Sequence, residues 1–489
     1  MSLSTARSTA QSIFNNTARQ TSVIGTNISN VQNGDYNKRT VMIVSTEHGA
    51  RVGSVYREEN AALFRQSLES NSSASAQATL TDGLTKEIAN LLGGGNYDRS
   101  PSTYLSTFRD TLSSYGAKPA DTTLAAGVVS AAKDLVQSLN STSTGLQAIR
   151  QDADKKINEQ VGNLNALLAS FETVNTKVIQ ATSTGNDPNS ALDERDALLK
   201  KISDLVGIYS VTRENGDMAL YTSEGTTLFE TIPRTVTSKP MSTYNAGAAT
   251  QSVLIDGVAM TPGDGGDTSA KGSLQALLQI RDQVAPTYQR QLDEIAATLV
   301  DMFKEKDPDG IFADAAGLFY DKANPILPIP PATLPIDDMA TRISVSSAVV
   351  PPSGKPTLIR DGGIAGAAYI ANRDGVSGYS ELLNRYAESF EAAEYTFSDE
   401  SGIGGQQSIL SFSTASIGWF ESLRSSASNA DETKTALMAR TSEAYSNVTS
   451  VSLDEELSLL LDVEQSYKAG TKLLSTIDEM IKTLLDSVG

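Results

Sequence analysis

The sequence predicts a multidomain, mainly α-helical protein with β-rich insertions. Apolar residues follow a seven-residue repeat at the C-terminal end, a long central region has helical periodicity, and Asn215-Gly216 separates two alternating segments. A chain of 489 residues is long for one domain, and this length is typical of two to four. We therefore expect terminal helices that form a coiled-coil layer, a nested helical domain and a small antiparallel β domain.

The C-terminal segment from Leu453 predicts one long helix with a narrow apolar stripe. The main row, at every seventh position, comprises Leu453, Leu460, Tyr467, Leu474, Ile481 and Val488, and a partial second row comprises Val463, Ile477 and Leu484. A three/four repeat of this kind must be covered by another helix. The rest of the helix surface is acidic, because the segment carries eight acidic and three basic residues, a net charge of −5.

The first thirty residues repeat this pattern more weakly and carry the opposite charge. The apolar positions are Leu3, Ala6, Ala10, Ile13, Ile24 and Val31, interrupted by Thr17, Gln20 and Asn27. Arg7, Arg19, Lys38 and Arg39 outnumber Asp35. Matching stripes of opposite charge predict that the two ends pair, either within one chain as a helical hairpin or between neighbouring copies. Spacing and composition leave both arrangements open.

The region that follows is predicted to be mostly helical. A short β-rich stretch covers residues 40–45 and 52–56, and helical periodicity then continues from about Asn60 to Val206. Its longest predicted helix spans residues 146–181. Gly93-Gly94-Gly95 and Ala117-Lys118-Pro119 are predicted loops.

From Gly207 the apolar period changes to two, which predicts strands. Asn215-Gly216 between residues 208–213 and 218–221 is a strong hairpin signal, and Glu224-Gly225 predicts a second turn before residues 227–229. Further strands are expected at residues 235–238 and 252–255. Helical periodicity returns over 272–304 and again from about Ile364.

Half of all prolines, eight of sixteen, fall between Pro325 and Pro356. That density forbids regular helix and favours extended or edge-strand backbone. The predicted domains are therefore a terminal coiled-coil assembly domain (1–45 and 440–489), a helical domain (46–206, 268–306 and 364–439), a β insertion (207–267) and a Pro-rich extended or β insertion (307–363).

Charge and composition exclude several classes of partner. The net charge is −19, which disfavours nucleic acid and anionic membrane surfaces, since phosphate binding needs clustered Lys and Arg. The chain has no cysteine, so disulfides and thiolate chemistry are excluded. No Sec-type signal peptide and no apolar run long enough to span a membrane are predicted.

No catalytic, metal-binding or cofactor-binding residue is predicted. His48 is the only histidine and is interpreted as an ordinary loop or surface residue. Asp264-Gly265-Gly266-Asp267 and Asp307-Pro308-Asp309-Gly310 lack the later ligands of a calcium loop and are interpreted as turns. Leu192 to Asp196 is interpreted as a helix start with surface ion pairs, because acidic residues are favourable near a helix N-terminus.

Several motifs resemble those of bacterial flagellar proteins. Thr26-Asn27-Ile28-Ser29-Asn30-Val31 with Gly34-Asp35-Tyr36-Asn37-Lys38-Arg39 resembles the N-terminal signature of flagellar rod, hook and hook-associated proteins, although Ser29, Asn33 and Asp35 depart from its usual residues. Residues 452–457, 464–469 and 478–480 resemble the C-terminal helix of the same proteins. Across most of the chain the match is to the hook-associated FlgK family, which also has counterparts of Leu192–Asp196 and of the segment from Gly272 to Asp282.

This resemblance implies a structural protein of the junction between hook and filament, outside the cell, exported through the flagellar type III apparatus without a cleaved signal peptide. The partners it implies are further copies of the chain, the hook protein, a FlgL-type second junction protein and a FlgN-type export chaperone. The residues expected to carry assembly or partner binding are Leu3, Ile13, Ile24, Asn27, Asn30, Tyr36, Leu453, Leu460, Tyr467, Leu474, Ile477, Ile481 and Leu484.

Other functions fit the sequence less well. Hook and distal-rod subunits share the terminal motifs but are β-rich between them, whereas residues 60–206 here have helical periodicity. A secreted coiled-coil effector or adhesin would not require the N-terminal signature. An enzyme such as a flagellar muramidase would need paired catalytic carboxylates in a separate domain, and the sequence suggests neither.

Overall fold

The computed structural model describes residues 3–46, 49–241, 243–244, 251–325 and 336–488. His48 and residues 326–335 of the Pro-rich stretch lie outside the described residues. Helices account for 62% of the chain, which confirms the predicted mainly α class with β insertions. None of the described helices has both the length and the apolar character that spanning a membrane would require.

Thirteen α-helices occur in the described residues, and two π-helical segments, Gly83–Ile88 and Ile280–Val284, lie between α2 and α3 and between α7 and α8. They are α1 (Leu3–Ser29), α2 (Ala61–Asp82), α3 (Ala89–Leu91), α4 (Pro101–Ala117), α5 (Thr122–Thr184), α6 (Asn189–Leu205), α7 (Ser273–Gln279), α8 (Ala285–Met302), α9 (Met339–Arg342), α10 (Leu358–Asp361), α11 (Glu381–Ser389), α12 (Ile409–Thr449) and α13 (Leu453–Val488).

The longest helix, α5, has 63 residues and begins well before the predicted start at residue 146. Residues 140–145 are rich in Ser and Thr, which are weak helix formers, so the sequence pattern breaks there. The helix nevertheless continues through these residues. Leu91 packs closely over Gly145 there, since a Cβ atom would lie 2.4 Å from the Leu91 side chain.

The strands are short and pair antiparallel throughout the described residues, in five small sheets. They are β1 (Arg39–Thr46), β2 (Gly49–Arg57), β3 (Ile208–Thr212), β4 (Met218–Thr222), β5 (Thr227–Phe229), β6 (Val236–Thr237), β7 (Leu254–Ile255), β8 (Val258–Ala259), β9 (Phe319–Asp321), β10 (Ile343–Val345), β11 (Tyr395–Phe397) and β12 (Gly405–Gln407). Asn215 and Gly216 both have positive φ, 65° and 79°, as the tight hairpin between β3 and β4 requires. The predicted hairpin is therefore confirmed.

The chain divides into two compact units. The terminal unit comprises Met1–Ala74, Asn163–Thr235 and Lys434–Gly489, and the central unit comprises Ser75–Gly162 and Val236–Thr433. The range predicted as one β insertion forms two separate sheets, since β3–β5 belong to the terminal unit and β6–β8 to the central unit. The finer division into four domains stays a prediction.

The central unit is built around an aromatic core and a buried ion pair. Phe108 packs with ring centroids 5.5 Å from those of both Phe303 and Phe319. Arg281 is almost fully buried and donates to the Asp154 carboxylate at 2.5 Å and to Asp282 at 2.7 Å. The Arg-Asp pair at the end of the Gly272–Asp282 motif therefore anchors α5 to the segment between α7 and α8.

The described part of the Pro-rich stretch is only partly extended. β10 pairs with β9 as an edge ribbon, in agreement with the predicted extended backbone. The short helices α9 and α10 flank this strand and its following turns. The α10 helix begins two residues after Pro356, where proline does not interrupt helical hydrogen bonds.

Candidate assembly interface

The two ends of the chain pair with each other in the terminal unit. Helix α1 packs along α13, with the rings of Phe14 and Tyr467 edge to face at 5.2 Å. Lys38, which follows α1, bonds Glu455 near the start of α13 at 2.6 Å. The helices are therefore antiparallel, and one chain forms the hairpin that the sequence left as one of two arrangements.

The buried seam of this hairpin follows a strict seven-residue spacing on both helices. Its fully buried positions are Ala10, Thr17 and Ile24 on α1 and Glu456, Val463, Gly470 and Ile477 on α13. Gly470 lets α1 approach closely, because a Cβ atom there would meet Ile13 at 2.8 Å. We call these seven residues the α1–α13 seam.

This seam differs from the main row that the sequence suggested. Val463 and Ile477, assigned to the partial second row, are the buried apolar residues, whereas Leu453, Tyr467 and Ile481 of the main row stay 43%, 53% and 37% exposed. Leu460 and Leu474 are half-buried at the edge of the seam. Counting apolar residues missed the seam because two of its α13 positions are a glutamate and a glycine.

Glu456 is an unusual member of the seam. Its side chain is 1% exposed, and both carboxylate oxygens lack a hydrogen-bond donor among the described residues. The nearest cation is the Lys38 ammonium at 3.9 Å. A buried carboxylate with so little compensation weakens the pairing of the two helices.

A second apolar surface of α13 faces away from α1. Leu453, Leu457 and Leu461, four residues apart on one helix face, are 43%, 46% and 60% exposed. We call these three residues the exposed leucine row. Ile481, Leu484 and Leu485 are also exposed at the far end of the helix. Exposed apolar residues grouped in this way are a candidate interaction surface.

The N-terminal signature holds the turn between α1 and β1. The Asn27 amide oxygen accepts from the Tyr36 hydroxyl at 2.7 Å and from the Arg39 N–H at 3.1 Å, and its NH₂ group donates to the Arg39 carbonyl at 2.9 Å. The Arg39 guanidinium lies over the Tyr36 ring at 5.0 Å. Burial raises the pKa of the Tyr36 hydroxyl to about 12, so it remains a donor. These residues therefore act inside the fold. The Asn30 side chain bonds to nearby residues, since it donates to the Thr26 carbonyl and to Ser29 Oγ and accepts from the Asn33 amide.

The Leu192–Asp196 motif joins this turn through buried ion pairs. Arg57 of β2 donates to Asp193 at 3.1 Å and to Asp196 at 2.8 Å, and Arg39 lies 3.3 Å from Asp193. Although burial alone would lower the pKa of Arg57, the neighbouring Asp196 and Asp193 carboxylates raise it. The motif lies near the start of α6, as predicted, and Glu194 forms a half-exposed pair with Lys177. The ion pairs of Asp193 and Asp196 are buried and not on the surface.

The same turn is tied to the C-terminal helices. The Lys38 N–H donates to the Thr449 carbonyl at the end of α12, 2.7 Å away. The Asn37 amide donates to the Tyr445 hydroxyl at 2.9 Å, and Tyr445 packs against Phe64 at 5.2 Å. Sequence reasoning missed Asn37, Tyr445 and Thr449 because nothing in local periodicity connects positions so far apart.

The predicted assembly residues therefore fall into three groups. Ile24, Asn27, Tyr36 and Ile477 are buried in the fold, and Ile13, Asn30, Leu460 and Leu474 are half-buried. Leu453, Tyr467, Ile481 and Leu484 are exposed, and Leu3 begins α1. Only the exposed group is free to contact another molecule without a change in the hairpin.

The described residues contain no cluster of His, Cys, Asp or Glu side chains that could hold a metal ion. The chemistry that the terminal unit offers is therefore packing: an intramolecular seam with a buried charge, and beside it an exposed leucine row on an acidic helix.

Comparisons with known proteins match flagellar proteins along most of the chain. Residues 85–318 match the model of the flagellar hook-associated protein FlgK helical domain, and residues 443–487 match the model of the C-terminal region of the flagellar basal body rod proteins FlgEFG. Flagellar hook-associated protein 1 of Bacillus subtilis is 21% identical over 422 residues, 80% of this chain and 77% of that protein.

One further relative and one solved structure match a smaller share of the chain. The protein of the same name from Salmonella typhimurium is 24% identical over 308 residues, which span 60% of this chain and 54% of that relative, so the match covers about half its length. The structure of the flagellar hook junction protein FlgK from Burkholderia pseudomallei aligns with 53% of this chain and 46% of its own, at 19% identity and a TM-score of 0.42. That likeness is too slight to establish a shared fold.

Proposed function

This chain belongs to the flagellar hook-associated protein FlgK family, and on that premise we propose that it is a structural subunit of the junction between hook and filament. Members of the family are structural proteins of the flagellum and not enzymes. The proposed subunit assembles through its paired N- and C-terminal helices after type III export, and it acts outside the cell.

The observation that carries this proposal is the terminal hairpin with its exposed leucine row. Pairing of α1 with α13 buries one face of each helix and leaves Leu453, Leu457 and Leu461 uncovered. Around this row α13 is acidic, whereas α1 exposes Arg7 and Arg19 and contains no acidic residue. Neighbouring copies can thus bury the row while placing opposite charges together.

The same row is suited to a protein that binds the subunit before assembly. An export chaperone of the FlgN type would cover exposed leucines that otherwise promote premature association. The hook protein and a FlgL-type second junction protein are proposed as the neighbours in the flagellum. These partners rest on the family resemblance.

The second candidate function is a hook or distal-rod subunit. It is supported by the match of residues 443–487 to the C-terminal model of rod proteins. The match of residues 85–318 to the hook-associated helical domain covers far more of the chain and favours the junction.

Deletion of the gene followed by electron microscopy of the cells tests the proposal. We expect intact hooks without filaments, with flagellin released into the medium. Cells without hooks would move the subunit to the hook or rod, and normal flagella would contradict any junction role.

A further inference from the structure

A loop of the central unit, residues 307–314, presents two adjacent apolar side chains to solvent. Ile311 is 75% exposed and Phe312 is 57% exposed. Single exposed apolar residues are common on protein surfaces, but a neighbouring pair of large ones at a loop tip is a candidate contact site. We call Ile311 and Phe312 the apolar knob.

The loop that carries the knob is held in one conformation. The Asp307 carboxylate accepts the backbone N–H groups of Asp309, Ile311 and Phe312 at 3.0, 2.8 and 2.9 Å. Two hydrogen bonds between Glu305 and Ala315, of 2.8 and 3.0 Å, close its base. Because the loop is already ordered, little conformational entropy is lost when the knob binds.

Two more contacts brace the loop from outside. Arg373 pairs with Asp309 at 2.6 Å, and the Tyr369 hydroxyl donates to the Ala313 carbonyl at 2.8 Å. Five hydrogen bonds and ion pairs beyond the base thus hold the loop around two side chains that take part in none of them, which indicates that the arrangement serves presentation of the knob.

The central unit also contains an open groove of about 600 Å³, a size that suits a pair of large side chains. Val136, Val345 and Val350 supply its apolar surface, and Lys133 and Lys322 contribute positive charge. The remaining described lining residues are Gln137, Asn140, Ser141, Thr144 and Ser344, and no carboxylate is among them.

The apolar side chains of the knob suit the apolar surface of the groove, and the two sites carry opposite charge. The 307–314 loop carries Asp307, Asp309 and Asp314 and no basic residue of its own. The Asp309 and Asp314 side chains lie beside Arg373 and Lys304 but are still 52% and 41% exposed, so both carboxylates are accessible to the groove lysines. The knob is exposed and thus does not fill the groove of its own molecule.

We propose that the apolar knob of one copy of this chain inserts into the Lys133–Lys322 groove of the next copy. Because knob and groove are different surfaces, the contact is head-to-tail and repeats from copy to copy, which generates a ring or helix. This inference rests on the proposed function for its setting, since it adds a lateral contact between central units to the assembly of the terminal helices.

Cross-linking tests the contact directly, because the chain has no cysteine of its own. Ala313→Cys lies beside the knob and Gln137→Cys lines the groove, and both positions are exposed. Flagella from bacteria that produce the double variant would be treated with a short bismaleimide. We expect a ladder of covalent oligomers of this chain from the double variant and none from either single variant.

Two control variants sharpen the result. Ala313→Cys combined with Val258→Cys, an exposed position that does not line the groove, should give no ladder. Adding Phe312→Asp to the reactive pair should reduce the ladder at least about tenfold, as removal of a contact anchor does. All substituted residues are exposed, so melting temperatures should equal that of the parent.

Each other outcome has a definite meaning. Incorporation into flagella without a ladder would overturn the contact and leave the proposed function standing. Cross-linking of Ala313→Cys alone, or cross-links to a different protein, would also overturn it. If the parent protein is absent from flagella but the purified double variant still forms a ladder, the contact is supported and the junction role is overturned.

Discussion

Buried ion pairs organise the turn after the first helix. Arg57 is flanked by Asp193 and Asp196 in a region that excludes water, and Arg39 shares Asp193. Carboxylates in such a place are stable only while a cation remains beside them. These residues therefore hold β2 and the start of α6 together and are not a catalytic cluster.

The first prediction concerns Arg57. Arg57→Leu should lower the free energy of unfolding of the terminal unit by roughly 3–5 kcal/mol, because Asp196 is left buried without its ion-pair partner. Urea unfolding followed by circular dichroism measures the loss. The matched control is Lys177→Met on α5, which breaks the half-exposed pair with Glu194 of α6 and should change stability by at most about 1 kcal/mol. Equal effects of the two substitutions would contradict the importance of burial.

The second prediction concerns Asp293 of α8. Burial raises its pKa to about 7, although N–H groups of Ala340, Gln289 and Asp338 partly offset this. The ordinary value is about 3.9, so between about pH 4 and pH 7 the folded protein holds a proton that the unfolded chain releases. The bound proton therefore stabilises the folded protein. This contribution to the free energy of unfolding is fully present below about pH 4 and is lost as the pH rises through about 7, by roughly 1.4 kcal/mol per pH unit at most.

Asp293→Asn should remove this contribution to the pH dependence. Trp419 is the only tryptophan and stacks near Tyr288 in the central unit, so its fluorescence reports unfolding there. Urea titrations at pH 5 and pH 7.5 give the free energy of unfolding at each pH, and the change between the two values is compared between parent and variant. The same pH dependence in parent and variant would show that Asp293 does not titrate in this range.

At the scale of one element, α13 has two apolar surfaces with different roles. The α1–α13 seam, with Val463 and Ile477, closes the hairpin within the chain, whereas the exposed leucine row stays uncovered and is proposed to contact another molecule. The two surfaces lie on one helix, so substitutions of the same chemical kind separate their roles.

The third prediction compares these surfaces. Leu457→Asp with Leu461→Asp should leave folding nearly unchanged, because both residues are about half-exposed or more, yet prevent incorporation into flagella. Val463→Asp should instead separate α13 from α1, because it places a second unpaired charge in the seam. Circular dichroism and limited proteolysis report folding, and immunoblots of isolated flagella report incorporation. Normal incorporation of the first variant would refute a role for the leucine row.

At the scale of the whole molecule, residues from both ends of the chain build one unit. The N-terminal helix, the middle segment with α6 and the C-terminal helix all contribute to the terminal unit. A hairpin closed within each chain means that assembly can add complete subunits side by side. The alternative is exchange of terminal helices between copies, which would require each hairpin to open.

The fourth prediction distinguishes closed hairpins from exchanged helices. Ile13→Cys with Gly470→Cys should form a disulfide within one chain, since the two Cβ atoms would lie 3.4 Å apart, close to the usual distance. Oxidised flagella containing the variant should then release single chains on a denaturing gel. Covalent dimers or longer ladders would show that helices are exchanged on assembly. Ile13→Cys alone serves as the control.

The sequence by itself determined the parts of the fold that depend on local pattern. The seven-residue spacing at both ends predicted α1 and α13, Asn215-Gly216 predicted the β3–β4 hairpin because only a turn with positive φ fits there, and the terminal motifs indicated the family. Such features repeat within a few residues along the chain, so they can be recognised without knowledge of distant contacts.

Only the tertiary structure decided which surfaces are covered. Glu456 and Gly470 belong to the buried seam although neither is a large apolar residue. Leu453, Tyr467 and Ile481 stay exposed although their seven-residue spacing predicts burial. Asp193 and Asp196 are buried because Arg57, far away in sequence, lies over them. Periodicity identifies a face of a helix, but burial depends on how closely a distant segment can approach that face, and that distance is set by the fold as a whole.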